Sequence, residues 1–239
     1  MLDVINPTEE DVDVTLLYQT NYLKDIHADQ LKSTITKENN VLHIKHLYPE
    51  KLESNSVETP HYIYTLLNEK PLVREGMLTV TANTIGKPLV MANILTSTKG
   101  GEPDISYQKN SGYVSGVADG RSFIFSTSPG DIYNSDNFIT DALTLTWDSE
   151  KTFAAIVKSL KRDGKRLIAS EIPITCEISR KSIKYYHQEK AEVIIGVESE
   201  PASVILNGTE VSGWKYDEKE DEIIITLPEG EGSLVIHFG

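Results

Sequence analysis

Short runs in which apolar and polar residues alternate follow one another along most of the chain, divided by dipeptides that reverse it sharply. Asp119-Gly120, Asp163-Gly164 and Asn207-Gly208 each stand between two such runs. In a two-residue hairpin loop both central residues adopt positive φ to match the strand twist, and Asn or Asp followed by Gly tolerates that best. Asn39-Asn40 and Gly100-Gly101 interrupt similar runs. A period of two with this punctuation predicts an all-β protein, a large antiparallel β-sandwich with a smaller C-terminal β unit.

The pattern predicts strands over 12–20, then 31–36 and 41–47 paired across Asn39-Asn40, then 62–67 after a polar loop around 53–60. Strands at 77–83 and 89–96 flank Ile85-Gly86-Lys87-Pro88, whose proline withholds a ladder donor. Runs at 105–109, 113–117 and 122–127 read as a meander. Residues 128–141 lack periodicity and are dense in turn formers, so an exposed loop is expected there. A further strand covers 142–147. Segment 152–162 is ambiguous, since Phe153, Ile156, Val157 and Leu160 also fit one helical face; the Asp163-Gly164 turn and the apolar run after it favour a strand. Seven short strands follow from 174 onward, and a boundary is expected near 188/189, giving domains 1–188 and 189–239.

Composition bounds what such a fold can do. The 239 residues carry 23 Lys and Arg against 36 Asp and Glu, a net charge of −13. A field of that sign repels phosphate backbones, which argues against nucleic acid and against a grip on a dense polyanion over a broad surface. No apolar run approaches the roughly 18 residues of a membrane helix, and Met1-Leu2-Asp3-Val4 lacks the basic-then-apolar layout of a secretory signal. The single cysteine, Cys176, sits in a strand-like run and reads as a packed thiol.

Few residues suggest chemistry. His43 and His46 are three apart, so on a strand they point to opposite faces and do not converge on a metal ion. Asp131, Asp136 and Asp141 with Asn134 and Asn137 could offer oxygen ligands to calcium, but at the spacing of no calcium loop. No G-x-S-x-G elbow, phosphate-cradling glycine loop or H-E-x-x-H pair occurs. No cofactor, metal or catalytic residue is assigned. Aromatic residues remain, because a flat apolar face with a polar tip suits stacking on sugar rings; Tyr133, Trp214 and Tyr62 are the candidate carbohydrate contacts. Asn207-Gly208-Thr209 fits a glycosylation triplet, although its turn role accounts for it.

The run 201–239, with its Asn-Gly turn, Tyr216-Asp217 step and Leu227-Pro228-Glu229-Gly230 turn, resembles the terminal β module that closes many carbohydrate-active enzymes. Residues 88–95, 112–116 and 120–127 are similar in order and spacing to the β-sandwich region of heparinase II/III-like polysaccharide lyases. That resemblance implies a supersandwich-like fold and a secreted or periplasmic setting. It also implies a helical catalytic domain as partner, in the same or another chain, and contact with polysaccharide. The expected role is a non-catalytic region that supports the catalytic domain and shapes its cleft, inactive alone. Two alternatives stay open: a stand-alone binding module for neutral or weakly acidic glycans, and a small lyase acting by β-elimination with His61 and Tyr62 or Tyr64.

Overall fold

The computed structural model describes residues 2–5, 11–20, 25–61, 73–85 and 89–239. Among these residues there are strands and no α-helix, and the strand pairings are antiparallel, so the fold is an all-β, sandwich-like one. Two compact units divide the chain between Ile105 and Ser106. Position 188/189 lies inside the second unit, between two strands of one hydrogen-bonded sheet.

The first unit contains β1 (Leu2–Ile5), β2 (Asp11–Thr20), β3 (Ile26–His27), β4 (Lys32–Lys37), β5 (Asn40–Tyr48), β6 (Glu53–His61), β7 (Val73–Ile85) and β8 (Leu89–Thr98). A five-stranded sheet in the order β1-β8-β5-β4-β3 and a three-stranded sheet β2-β7-β6 share one core. Ile44, Leu89 and Met91 of the first sheet meet Leu78, Val80 and Ala82 of the second; the period of two along β7 sends all three of its residues inward. Burial of every residue from Leu89 to Ile94 explains why this stretch of β8, Asn93 apart, is apolar without alternation.

Two expectations change here. The reversal between β4 and β5 is centred on Glu38 and Asn39, because Lys37 pairs with Asn40 and Glu38 takes the positive φ of 56°. The polar stretch 53–60 is no loop but most of β6, paired with β7 from Glu53↔Thr81 to His61↔Val73. It is an edge strand with exposed Glu53, Asn55 and Ser56, a place where polar side chains and Pro60 cost little. The expected strand at 62–67 and the turn residues Gly86 to Pro88 lie outside the described residues.

The second unit begins with the meander β9 (Ile105–Asn110), β10 (Tyr113–Ala118) and β11 (Arg121–Ser126). Then come β12 (Tyr133–Asn134), β13 (Phe138–Thr140), β14 (Thr144–Trp147), β15 (Lys151–Arg162), β16 (Lys165–Ser179) and β17 (Ser182–His187). The unit closes with β18 (Ala191–Gly196), β19 (Pro201–Leu206), β20 (Thr209–Val211), β21 (Trp214–Asp217), β22 (Glu222–Leu227) and β23 (Gly230–Phe238). All three Asp/Asn-Gly turns adopt the expected geometry, with φ of 48° and 77° at Asp119-Gly120, 50° and 77° at Asp163-Gly164, and 52° and 80° at Asn207-Gly208. Segment 152–162 is strand, held in β15 by pairing with β14 and β16.

The β15–β16 hairpin organises this unit. One edge of β16 pairs with β17 along Thr175–Ile178 and with β18 along Ile168–Ser170, so the sheet divides into branches β17-β23-β19-β20 and β18-β22-β21. Register shifts between Ala154 and Lys161 let the hairpin serve both branches. Their inward residues fill one core: Ile183, Val204, Leu234 and Ile236 from one branch, Val193, Ile223, Ile225 and Leu227 from the other. At the shift Ile156 holds a positive φ of 53°, while the Asp141 carboxylate accepts hydrogen bonds from the backbone N–H of Lys158 (3.0 Å) and Ser159 (2.9 Å).

The expected exposed loop at 128–141 is therefore partly structural. Its β13 pairs with β15, and Phe138, 2% exposed, packs with its ring centroid 4.6 Å from that of Trp147 and the Arg162 guanidinium over its ring, 5.5 Å from the centroid. Phe138, buried where Ile132 and Ile139 are exposed, anchors this turn-rich segment to the sheet.

Candidate functional site

Two places concentrate polar chemistry, one in each unit. In the first, His46 of β5 stands between Asn93 of β8 and Ser33 of β4. Its Nδ1–H donates to Asn93 Oδ1 at 2.8 Å, and its Nε2 lies 3.1 Å from Ser33 Oγ, which is 2.9 Å from Ser54 Oγ. Hydroxyl, imidazole and orienting amide in that order are the parts of a nucleophilic triad. Ser33, His46 and Asn93 are however 0%, 2% and 1% exposed, so no substrate reaches the hydroxyl. Burial holds the His46 pKa below the usual 6.5, against the opposing pull of Asn93 and Asp29, and the ring is neutral at pH 7. With Ser54 of β6, the set is an internal hydrogen-bond chain that ties four strands together. His43 has a separate partner, Thr98 Oγ1 at 3.0 Å.

In the second unit a cleft of about 590 Å³ opens where the turns at both ends of β16 come together. One rim is the β15–β16 turn with Lys161, Arg162, Lys165 and Arg166; another is the β16–β17 turn with Arg180 and Lys181. Gly196 and Val197 at the end of β18, and Asp221 and Glu222 at the start of β22, also line it. Gly196 permits a close approach, since a Cβ there would lie 1.8 Å from the Arg166 carbonyl oxygen. Apolar Ile183, Ile195, Ile236 and Phe238 line the inner side. The volume falls within the range of small-ligand sites.

The cations of this rim are unevenly paired. Arg166 Nη1 donates to Glu222 Oε2 at 2.6 Å, and Arg180 donates from Nε and Nη2 to the two oxygens of Glu198, both at 3.2 Å. The Arg180 guanidinium lowers the Glu198 pKa, and Glu198 in turn raises that of Arg180. Arg166 Nε is buried without an acceptor among the described residues. Strand register sets Lys161 opposite Arg166 and Arg162 opposite Lys165. Like charges directly opposite each other oppose pairing, which Glu222 on Arg166 and Asp163, 3.7 Å from Arg162 Nε, offset. At Asp221 the carboxylate accepts from the Tyr216 hydroxyl at 2.8 Å, which pushes the Tyr216 pKa up to about 12.

The aromatic candidates fall in different places. Tyr133 packs edge-on against Tyr113, ring centroids 4.6 Å apart, and both line a second pocket of about 230 Å³ with Asp131 and Ile132. Trp214 is half-buried against the core of its unit, its Nε1–H donating to the Val211 carbonyl at 3.1 Å. Tyr62 and Tyr64 lie outside the described residues, as does the side chain of His61. Among the described residues no group of three His, Cys, Asp or Glu side chains could hold a metal ion, and Asp141 is committed to the β15 backbone. Cys176 is buried, and burial pushes its thiol up to about 12, away from the reactive thiolate. No helix among the described residues is long and apolar enough to cross a membrane.

The six rim cations are functional candidates that a search for nucleophiles, metal ligands and aromatics passes over. A signal was present in Lys161-Arg162-Asp163-Gly164-Lys165-Arg166, where two basic residues flank a hairpin turn on each side. Once the turn is recognised, the pairs must face each other. The second basic pair, Arg180-Lys181, joins them only through the fold. Comparison with known protein families and with curated proteins finds no match to this chain.

Proposed function

We propose that this chain is a non-catalytic β-sandwich region of a heparinase II/III-like polysaccharide lyase, which supports a helical catalytic domain and shapes its substrate cleft. The observation that carries this reading is the fate of the most reactive-looking side chains: Ser33, His46 and Asn93 are spent on tying strands together and sealed from solvent. The residues behind the resemblance agree with a supporting role, since 112–116 and 120–127 form the β10–β11 hairpin and 201–239 form β19 to β23.

The test is complementation. The chain alone, incubated with uronate polymers, yields no ultraviolet absorbance from unsaturated products. Added to the helical domain of a heparinase II/III-like lyase made without its own sandwich, it restores turnover. Product from the chain alone, or no restoration, overturns the proposal.

A second reading is favoured by the Tyr113–Tyr133 pocket, whose paired rings and Asp131 carboxylate suit a neutral sugar. In that case glycan titration detects binding that Tyr133→Ala abolishes while Trp214→Ala, on a ring engaged with its own unit, weakens it less.

A further inference from the structure

The two pockets described in the second unit differ in whether their charges are matched. In the larger cleft Arg166 meets Glu222, Arg162 lies beside Asp163 and Arg180 meets Glu198. In the smaller one Asp131 is the only charged residue of the lining, and its carboxylate makes no ion pair among the described residues. Local structure fixes its place. A Cβ on Gly112 would stand 3.6 Å from Asp131 Oδ2, and the Asp131 N–H donates to the Ser128 carbonyl at 3.1 Å, which also accepts from Ser126 Oγ at 2.9 Å. Beside it the Tyr113 and Tyr133 rings stand with their planes 86° apart, two walls at nearly a right angle. The face of an aromatic ring is the negative part of its quadrupole. A carboxylate without a counter-ion and two rings therefore favour a positive ligand, and the net charge of −13 attracts the same sign from further away.

We propose that this pocket binds a primary alkylammonium group. An ammonium is attracted to an aromatic face within about 6 Å of the ring centroid. Its N–H donors find acceptors in the Asp131 carboxylate and the Ser111 hydroxyl, which line the pocket. Ile132, 69% exposed, offers apolar surface to the alkyl stem. The volume of about 230 Å³ is below the roughly 300–1,000 Å³ of sites that enclose a whole ligand. It suits a head group whose stem continues outside. The unpaired carboxylate repels anionic ligands from the same place. The site depends on neither reading above: support of a catalytic domain does not involve this pocket, and a neutral sugar lacks the positive charge that the ligand requires here.

Titration of the whole chain with n-butylammonium chloride, 1-butanol and methyl α-glucoside, followed by the backbone amide resonances of residues 111–113 and 131–133, tests the site. Butylammonium shifts these resonances with a Kd of about 10 mM or tighter, and raising the salt weakens it. Butanol, which has the chain without the charge, and the glucoside, which has hydroxyls without the charge, bind at least about tenfold more weakly. Asp131→Asn, at an exposed position, keeps the fold by circular dichroism and loses at least about fivefold in affinity for butylammonium. Asp136→Asn removes an exposed charge from the same segment outside the pocket and leaves the Kd unchanged. Absence of shifts at these residues, butanol or glucoside binding as tightly, undiminished affinity in Asp131→Asn, or an equal loss in Asp136→Asn each overturns the proposal.

Discussion

The two units solve the same problem, polar groups on a β scaffold, in opposite ways. The first takes them inside: Ser33, His46, Asn93 and Ser54 form a chain in which each hydrogen bond compensates burial. The second also buries polar side chains, His187 and Thr152 among them, but carries most of its charges on a rim, where Arg166, Arg180 and their neighbours surround a cleft. A buried hydrogen-bonded network fixes strand register at the expense of accessibility. An exposed, imperfectly paired cluster costs stability and leaves groups free to meet a ligand. The lesson is that similarity of residue type to a catalytic set says little until exposure is known.

The largest effect that separates the units comes from the apolar core of the second. Leu160 is fully buried at the point where β15 serves β13 and β16, and Leu160→Ala costs about 3–4 kcal/mol through transfer and cavity terms. Urea unfolding measures it; a loss under about 1 kcal/mol would mean that the folded-back hairpin is not the centre of that unit. Next in size is His46→Ala, which opens a cavity, removes the ring donor to Asn93 Oδ1 and takes away one of the partners of Ser33 Oγ, and it costs about 2–3 kcal/mol by the same measurement. The hydrogen-bond chain would be dispensable if His46→Leu and His46→Ala both proved neutral.

A pH titration of stability sharpens the contrast. Because the folded His46 pKa lies below the usual 6.5, the unfolded chain takes up the proton first as pH falls. The contribution of the neutral ring is complete above 6.5 and declines as pH drops from there toward the folded value. Wild-type stability accordingly falls on acidification through this window, and His46→Gln flattens the slope; an unchanged slope would assign it to another group. The smallest effect is a gain. Ile156 is a β-branched residue at φ 53° and 53% exposed, so Ile156→Gly removes backbone strain and stabilises by about 1 kcal/mol, seen as a higher melting temperature.

Much of this fold is legible in the linear pattern, and the reasons are local. An Asp-Gly or Asn-Gly pair needs no distant partner to favour positive φ, so the turns at 119, 163 and 207 follow from the residues themselves. Where the sequence misled, long-range pairing had overridden composition. Glu53 to Pro60 is polar enough to be a loop and becomes an edge strand only because β7 offers it a ladder. Phe138 pulls a turn-rich stretch into the sheet because Trp147 and Arg162 wait there. The candidate cleft was half visible, since the basic residues around Asp163-Gly164 are consecutive, while Arg180 and Lys181 are brought to it by the path of β16.

By itself the sequence determined strand character, the positions of the tight turns and the buried state of Cys176, because these depend on neighbouring residues and on a period of two. Only the tertiary structure decided that one hairpin feeds two branches, that a Ser–His–Asn chain is sealed, and that scattered cations share a rim. Those outcomes rest on contacts between residues tens of positions apart, for which no short stretch of chain carries the information.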